Sequence, residues 1–211
     1  MITRDATLAI PSPVFQRLHR HLFPGDGLEA AALVLCTQVS GRRRKLLACD
    51  LIPVPYEACA RRSENFLSWP GEFVERAIDR AEASGLVILA VHSHPGGLFA
   101  FSPLDDESDK VLLPALFHGT GGLAGSAIML PNGAMRGRLY DGYRNVLQPL
   151  DLISVAADDR NEGHPLGIEQ FHQLGEVRQR TGQPVDLIDD DDIDLPSFDA
   201  FQEMLQGRAF G

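Results

Sequence analysis

The chain has 211 residues, of which 44% are hydrophobic, so it can bury one substantial core and still carry an appendage. The 15 basic and 15 acidic residues of positions 1–150 cancel, and the whole net charge of −10 therefore falls on positions 151–211. No apolar run is long enough to cross a bilayer and no basic stretch leads into an apolar core near the start, so we expect no membrane partner and no signal peptide.

The first third of the chain predicts a strand, a helix and a hairpin. A short strand is expected over residues 7–10, and a helix opened by prolines follows it, with apolar residues at four-residue steps. The apolar run of residues 29–36 is typical of a strand buried on both faces, and residues 46–54 form the returning strand. Between them, the basic cluster of residues 42–45 indicates a solvated hairpin tip. Because no wider basic face accompanies it, we expect no nucleic-acid partner.

Two more helices and four more strands are predicted up to residue 155. Residues 70–84 form a helix that ends at Gly85. A second helix begins at Ser102, which is followed by a proline and acidic residues, and Pro114 is expected to end or kink it. Strands are predicted over residues 86–91, 126–130, 135–140 and 147–155.

The composition and the apolar periodicity of the sequence change after residue 155. Apolar periodicity weakens, and the run of four aspartates over residues 189–192 lies in a stretch that cannot build a core. We therefore predict a domain over residues 1–155 and an acidic tail or linker over residues 156–211.

Cysteine usage bears on the compartment. Cys36, Cys49 and Cys59 are widely spaced, form no CxxC pair and make no even-numbered framework. A reducing, cytoplasmic environment is the simplest interpretation.

The segment His92-Ser93-His94-Pro95 carries the chemistry. It directly follows a predicted buried strand, and residues two apart on a strand point to the same side, so both imidazoles can reach one ion. Asp105 lies eleven residues after His94, in the first turn of the next helix, and a Gly-Gly loop can fold that helix start back over the strand end. The pattern predicts two nitrogens and one carboxylate around a metal, with a fourth position open for water, as in catalytic zinc sites.

Two further groups are needed for hydrolysis. Ser102 can cap its helix and also donate a hydrogen bond to the oxyanion of a tetrahedral intermediate. A general base must also accept a proton and later deliver it to the leaving amine. Glu29 is our candidate, although the sequence alone does not select it over Glu57 or Glu64.

The spacing His92-x-His94-Pro95-x6-Ser102-x2-Asp105 resembles the metal motif of the JAMM family, also called JAB or MPN+ metalloproteases. The resemblance covers about residues 5–155 and implies an α/β fold of the JAB/MPN (cytidine-deaminase-like) type, a mixed β-sheet with helices on both faces. It implies that His92, His94 and Asp105 bind Zn²⁺ and that Ser102 assists the oxyanion. The family's general acid/base is a glutamate just before a buried strand, and Glu29 matches that position.

The resemblance also implies a substrate and partners. Family members mostly cleave peptide or isopeptide bonds at the C-terminus of ubiquitin or ubiquitin-like proteins, so a bacterial, deubiquitinase-like hydrolase is expected. Residues 178–180 and 208–211 resemble the lead-in to a ubiquitin-activating-type adenylating domain. We therefore expect fusion to such a domain, or a shared operon with activating and conjugating-type enzymes.

Two other functions stay open on the sequence. Some relatives keep the fold without the metal residues and act as scaffolds or binding modules, although all five functional positions are occupied here. The RadC-like branch, linked to DNA repair, has a similar His-x-His-Pro segment but usually carries a helical DNA-binding-like segment ahead of it, which this sequence lacks. Zinc deamination is not expected because a Pro-Cys-x-x-Cys segment is missing.

Overall fold

The structure, a computed structural model, describes residues 6–39, 44–150 and 152–156. Eight strands form one mixed sheet in the order β10-β1-β3-β2-β6-β7-β8-β9, and β4 and β5 form a separate small hairpin. The strands are β1 (Ala6–Pro11), β2 (Ala31–Val39), β3 (Arg44–Pro53), β4 (Arg61–Arg62), β5 (Leu67–Ser68), β6 (Val87–Ser93), β7 (Ala124–Met129), β8 (Met135–Asp141), β9 (Val146–Pro149) and β10 (Leu152–Ala156). The helices are α1 (Ser12–Leu22), α2 (Glu72–Glu82) and α3 (Pro103–Thr120), and a single 3-10 turn covers Tyr56–Ala58.

The centre of the sheet is formed by β2, β6 and β7. Strand β2 is antiparallel to both of its neighbours, β3 and β6, whereas β6 and β7 run parallel. Every residue of β6 except His92 is buried, as the near-continuous apolar sequence predicts for a strand covered on both faces. The C-terminal end of β6 therefore presents its histidines from a rigid support.

The helices cover both faces of the sheet, which confirms the predicted fold class. On one face, α1 buries Val14, Leu18 and Leu22 against alternate residues of β2 and β6. On the other face, α2 contacts β2 and β6, and α3 contacts β7 and β8. Residues of β2 and β6 that point to this second face, such as Leu33 and Ile88, are fully buried. Each such side chain contributes about 1.5–3 kcal/mol to folding.

The prediction of a single strand over residues 147–155 is wrong. The structure has two strands there, and they lie at opposite edges of the sheet, β9 beside β8 and β10 parallel to β1. The chain leaves the first edge after Pro149, whose nitrogen cannot donate to a ladder. Leu150 is 9% exposed and anchors the crossing, with its N–H donating to the carbonyl of Gly137 at 2.9 Å.

Pro114 does not end α3, because the helix continues for a further turn and a half to Thr120. Proline removes one backbone hydrogen bond from a helix interior, which costs about 3 kcal/mol in an isolated helix. Leu113 and Leu116 on either side of it are fully buried, and this packing holds the helix together. The helix then ends at Gly121, which has a φ of 65°.

The basic cluster is only partly within the described residues, as Arg44 and Lys45. Arg44 does not lie on a solvated tip as predicted. Its Nη2 atom is 3.0 Å from Oδ2 of Asp141 on β8, and the two side chains are 20% and 6% exposed. The curl of the sheet brings β3 and β8 together, so Arg44 forms a structural ion pair with Asp141 and is not a free surface charge.

The predicted acidic tail of residues 156–211 lies outside the described residues, apart from Ala156. Within the described part of the chain, none of the helices is long and apolar enough to cross a membrane.

Candidate metal centre

Three side chains converge at the C-terminal end of β6. His92 and His94 approach each other from β6 with their Nε2 atoms 3.0 Å apart. Asp105, in the first turn of α3, places Oδ1 3.0 Å from Nε2 of His92 and Oδ2 3.4 Å from Nε2 of His94. Among the described residues, these three form the one group of side chains close enough to share an ion.

The imidazole of His94 is oriented from behind. Its Nδ1 lies 2.8 Å from the carbonyl oxygen of Leu98, and because a carbonyl only accepts, Nδ1 must be the donor. In the neutral ring, Nε2 then carries the lone pair that faces His92 and Asp105. Metal-binding histidines are commonly fixed in this way by a hydrogen bond from the second ring nitrogen.

Asp105 is fixed by a capping box at the start of α3. The Ser102 hydroxyl accepts from the backbone N–H of Asp105 at 3.2 Å, and the Ser102 N–H donates to Oδ2 of Asp105 at 2.6 Å. Ser102 therefore caps the helix as expected, and its hydroxyl hydrogen remains available for donation. The loop between β6 and α3 turns at Gly97, whose φ is 83° and whose N–H donates to the carbonyl of His94 at 3.0 Å.

The donor set fits a divalent transition metal. Two imidazole nitrogens and a carboxylate are ligands that zinc accepts, and ligand atoms about 3.3 Å apart are what a tetrahedral ion with bonds of about 2.0 Å requires. The observed separations of 3.0, 3.0 and 3.4 Å lie close to that value. The side chains of His92 and Asp105 remain 19% and 16% exposed, so the cluster is open to solvent on one side.

Charges within the cluster act on one another. Burial lowers the pKa of His94, but the hydrogen bond to Asp105 and the one to Leu98 outweigh it and leave the pKa raised. Burial raises the pKa of the Asp105 carboxyl, but the hydrogen bonds from His92 and His94 outweigh this effect. They hold the pKa of Asp105 far below its usual range. The cluster therefore favours a positive charge, whether a proton or a metal ion, at the point where the three side chains meet.

Glu29 lies beside this cluster by virtue of strand register. Ala31 is paired with His92, and the pairing continues because the N–H of Ser93 donates to the carbonyl of Ala30 at 2.9 Å. Continuing the same register places Glu29 opposite His94, and alternation puts both side chains on the same face of the sheet. Glu29 is 8% exposed. Burial raises the pKa of Glu29, while the charges of His92 and His94 oppose the rise.

The other two glutamates considered from the sequence are placed differently. Glu57 and Glu64 are both exposed, in the segment between β3 and α2. Of the three glutamates, the structure brings Glu29 to the metal cluster.

Arg62 and Ser63 hold the backbone around Glu29. Arg62 donates from Nε to the carbonyl of Glu29 at 2.7 Å, and the N–H of Glu29 donates to the carbonyl of Ser63 at 2.8 Å. The same guanidinium binds both carboxylate oxygens of Asp26, at 2.5 and 3.1 Å, and lies 4.3 Å from the centre of the Tyr56 ring. The β4–β5 hairpin thus fixes the turn that leads into β2.

Sequence reasoning missed three residues that build this site. Ser93, between the two histidines, accepts at its hydroxyl from the N–H of Ala30 at 2.8 Å and so locks the start of β2 to the end of β6. Arg62 supports Glu29, and Arg138 on β8 reaches the start of α3. A small polar residue inside His-x-His was a usable signal for Ser93. The two arginines gave none, because their partners are distant in sequence.

The chain is similar to known proteins in both sequence and fold. The model of the family described as prokaryotic homologs of the JAB domain matches residues 11–136, which is more than half of the chain. No curated protein matches. Among solved structures, a protein from Desulfitobacterium hafniense, determined in solution, is similar with a TM-score of 0.49 and 13% identity, over 75% of this chain and 99% of that one.

Proposed function

Because the chain belongs to the prokaryotic homologs of the JAB domain, we propose that it is a zinc-dependent peptidase that cleaves at the C-terminus of a ubiquitin-like protein. The observation that carries this proposal is the convergence of His92, His94 and Asp105, whose ligand atoms lie within 4.8 Å of one another. A buried carboxylate, Glu29, stands beside them in the strand register.

His92 and His94 would hold the ion through Nε2, and Asp105 would hold it through its carboxylate. Bound zinc supplies a Lewis acid that polarises the scissile carbonyl and lowers the pKa of water. The protein's own part is to keep the three side chains in place before substrate arrives. It does so through the His94–Leu98 hydrogen bond and the capping box of α3.

Glu29 would move the protons. Its carboxylate accepts a proton from the attacking water and then delivers it to the leaving amine, which is the task of a general base that becomes a general acid. Arg62 and Ser63 hold the Glu29 backbone during both steps.

Ser102 would stabilise the developing oxyanion. Its oxygen already accepts a hydrogen bond from the backbone of Asp105, so the hydroxyl hydrogen can be directed outward. A donor placed in this way acts on charge that exists only in the transition state.

The substrate would be a flexible C-terminal tail. The cluster is partly exposed rather than enclosed, and exposed apolar side chains flank it at Leu98, Phe99 and Leu104. An extended peptide could bind across this opening with its scissile bond over the ligands. Ubiquitin-activating and conjugating-type enzymes belong to the proposal as partners, on family likeness alone.

The test is cleavage of ubiquitin-like proteins fused at their C-terminus to a reporter, by zinc-loaded wild type, by the same protein after chelation, and by His92→Asn. We expect cleavage by the wild type alone and its recovery when zinc is added back after chelation. His118→Asn, a histidine elsewhere on α3, serves as the control and should cleave normally. Zinc-loaded wild type that cleaves none of a broad panel would instead favour a non-catalytic binding module.

A further inference from the structure

Arg138 contacts the helix that carries Asp105 at three positions near the start of that helix. Its side chain is 13% exposed and extends from β8 on the sheet face covered by α3. Nη2 donates to the backbone carbonyl of Asp105 at 3.2 Å, and Nη1 donates to Oδ1 of Asp106 at 2.5 Å. Nε donates to Oδ2 of Asp109 at 2.7 Å. One guanidinium therefore binds the first two turns of α3 at three positions.

The surroundings fix the guanidinium itself. Its carbon lies 3.8 Å from the centre of the Phe101 ring, just ahead of the helix. Ser126 on β7 accepts from Nε of Arg138 at 3.2 Å and donates to Oδ2 of Asp109. Asp109 is 7% exposed, so the ion pair with Arg138 is shielded from water. Strands β7 and β8 thus share one polar cluster with the start of α3.

Register connects this cluster to the histidines. His92 is paired with Ile128 on β7, and Ser126 is paired with Arg138 on β8. The strand that carries the histidines and the start of α3 are joined along the chain by a loop that turns on glycine, and the apolar residues that bury α3 against the sheet begin only at Leu113. The polar contacts of Arg138 therefore form a direct side-chain connection between the sheet and the turn of α3 that carries Asp105.

We propose that Arg138 is the positioning residue of the metal centre, which holds Asp105 at ligand distance from the two histidines by fixing the start of α3 to the sheet. The proposal deepens the proposed function and rests on its metal site, but not on peptidase activity. A planar fork with several donors is required, because a lysine at this position offers a point charge that cannot bind three separate acceptors in fixed directions.

Removal of Arg138 has a second consequence. Asp106 and Asp109 would lose their shared cation, and two uncompensated carboxylates would lie about one turn from Asp105, although Asp109 would keep its hydrogen bond from Ser126. The metal site would then have a displaced ligand and two competing ones nearby. Supporting residues behind metal ligands are typically worth about 10–100-fold in metal affinity, and we expect a loss of that size.

The experiment measures zinc affinity by competition with a chromophoric chelator, together with the absorption spectrum of the cobalt-loaded protein. Arg138→Met should bind zinc about 10–100-fold more weakly and show shifted cobalt bands. Arg138→Lys should recover only a small part of this loss. The matched control is Arg44→Met, which breaks a comparably buried arginine–aspartate pair that contacts none of the ligands. It should lower the melting temperature while the zinc affinity stays within about twofold of wild type.

A gentler pair of variants covers the case in which Arg138→Met does not fold. Asp106→Asn removes the negative charge from one acceptor of the guanidinium, at a side chain that is 54% exposed, and we expect several-fold weaker zinc binding. Glu107→Gln removes the same charge from the next residue, which pairs with Lys110 instead, and should leave the affinity unchanged. Equal effects of these two substitutions would overturn the proposal, as would wild-type affinity in Arg138→Lys or Arg138→Met.

These outcomes are independent of cleavage. If wild type binds zinc but cleaves no substrate, the peptidase proposal fails while the affinities of the Arg138 variants still decide this one. Absence of zinc binding by the wild type would overturn both.

Discussion

Replacement of Glu29 by glutamine separates catalysis from metal binding and from folding. Glutamine has nearly the same shape, so the packing is kept while the proton acceptor is lost. A general base typically contributes about 10²–10⁴ in rate, which corresponds to about 2.7–5.4 kcal/mol in the activation barrier. Glu29 is only 8% exposed, so bulk water cannot easily replace it, and we expect the upper part of that range in kcat.

The same substitution should not destabilise the fold. Burial raises the pKa of Glu29, which means that the folded state disfavours the ionised carboxylate. In the metal-free protein a neutral isostere removes that penalty, so the melting temperature of the metal-free form should stay unchanged or rise. Zinc affinity should change by less than about tenfold, because Glu29 is not among the three ligands.

Steady-state cleavage of a ubiquitin-like fusion gives kcat, with zinc content measured on the same samples and the melting temperature measured on their metal-free forms. Glu57→Gln and Glu64→Gln are the matched controls, since both remove an exposed glutamate considered for the same role. Retention of more than about a tenth of the wild-type kcat by Glu29→Gln would refute the assignment of the base. A collapse in kcat for either control would refute the argument from register.

Three further predictions follow from individual contacts. Arg62→Met should lower kcat by about 10–100-fold with zinc affinity unchanged, because the substitution releases the Glu29 backbone. A loss of zinc affinity as large as the loss of kcat would contradict this prediction. Gly97→Ala should lower the free energy of unfolding by about 1–2 kcal/mol in urea titrations, since φ is 83° and nothing lies within 4 Å of the added carbon, so that only backbone strain acts. An unchanged midpoint would argue against that strain. In the metal-free protein, the raised pKa of His94 stabilises the fold fully below about pH 6.5, and this contribution is lost as pH rises through the raised value. The stability difference between wild type and His94→Asn should therefore shrink as the pH rises above about 6.5, and a constant difference would count against the ion pair.

The central strands and the helices could be predicted because their determinants are local. Strand β6 is apolar from Val87 to Val91, and α1 repeats apolar residues at helical spacing. The start of α3 was equally predictable from the sequence, because a serine cap, a proline and two acidic residues lie close together there. For the same reason the spacing of His92, His94 and Asp105 indicated where the side chains meet.

What sequence reasoning missed depends on contacts between distant parts of the chain. No local pattern assigns β9 and β10 to opposite edges of one sheet, because both are short strands of similar composition. Pro114 was expected to disturb α3, but tertiary burial around it outweighs the lost hydrogen bond. Arg62 and Arg138 appeared as unremarkable charges until the fold placed Glu29 and Asp105 within their reach.

The metal centre of His92, His94 and Asp105 is tested most directly by zinc stoichiometry combined with X-ray absorption at the zinc edge of the purified protein. We predict one zinc per chain with only nitrogen and oxygen neighbours, two of them imidazoles, and loss of the ion in His94→Asn. Sulfur neighbours, or full zinc content in that variant, would contradict the assignment of the centre.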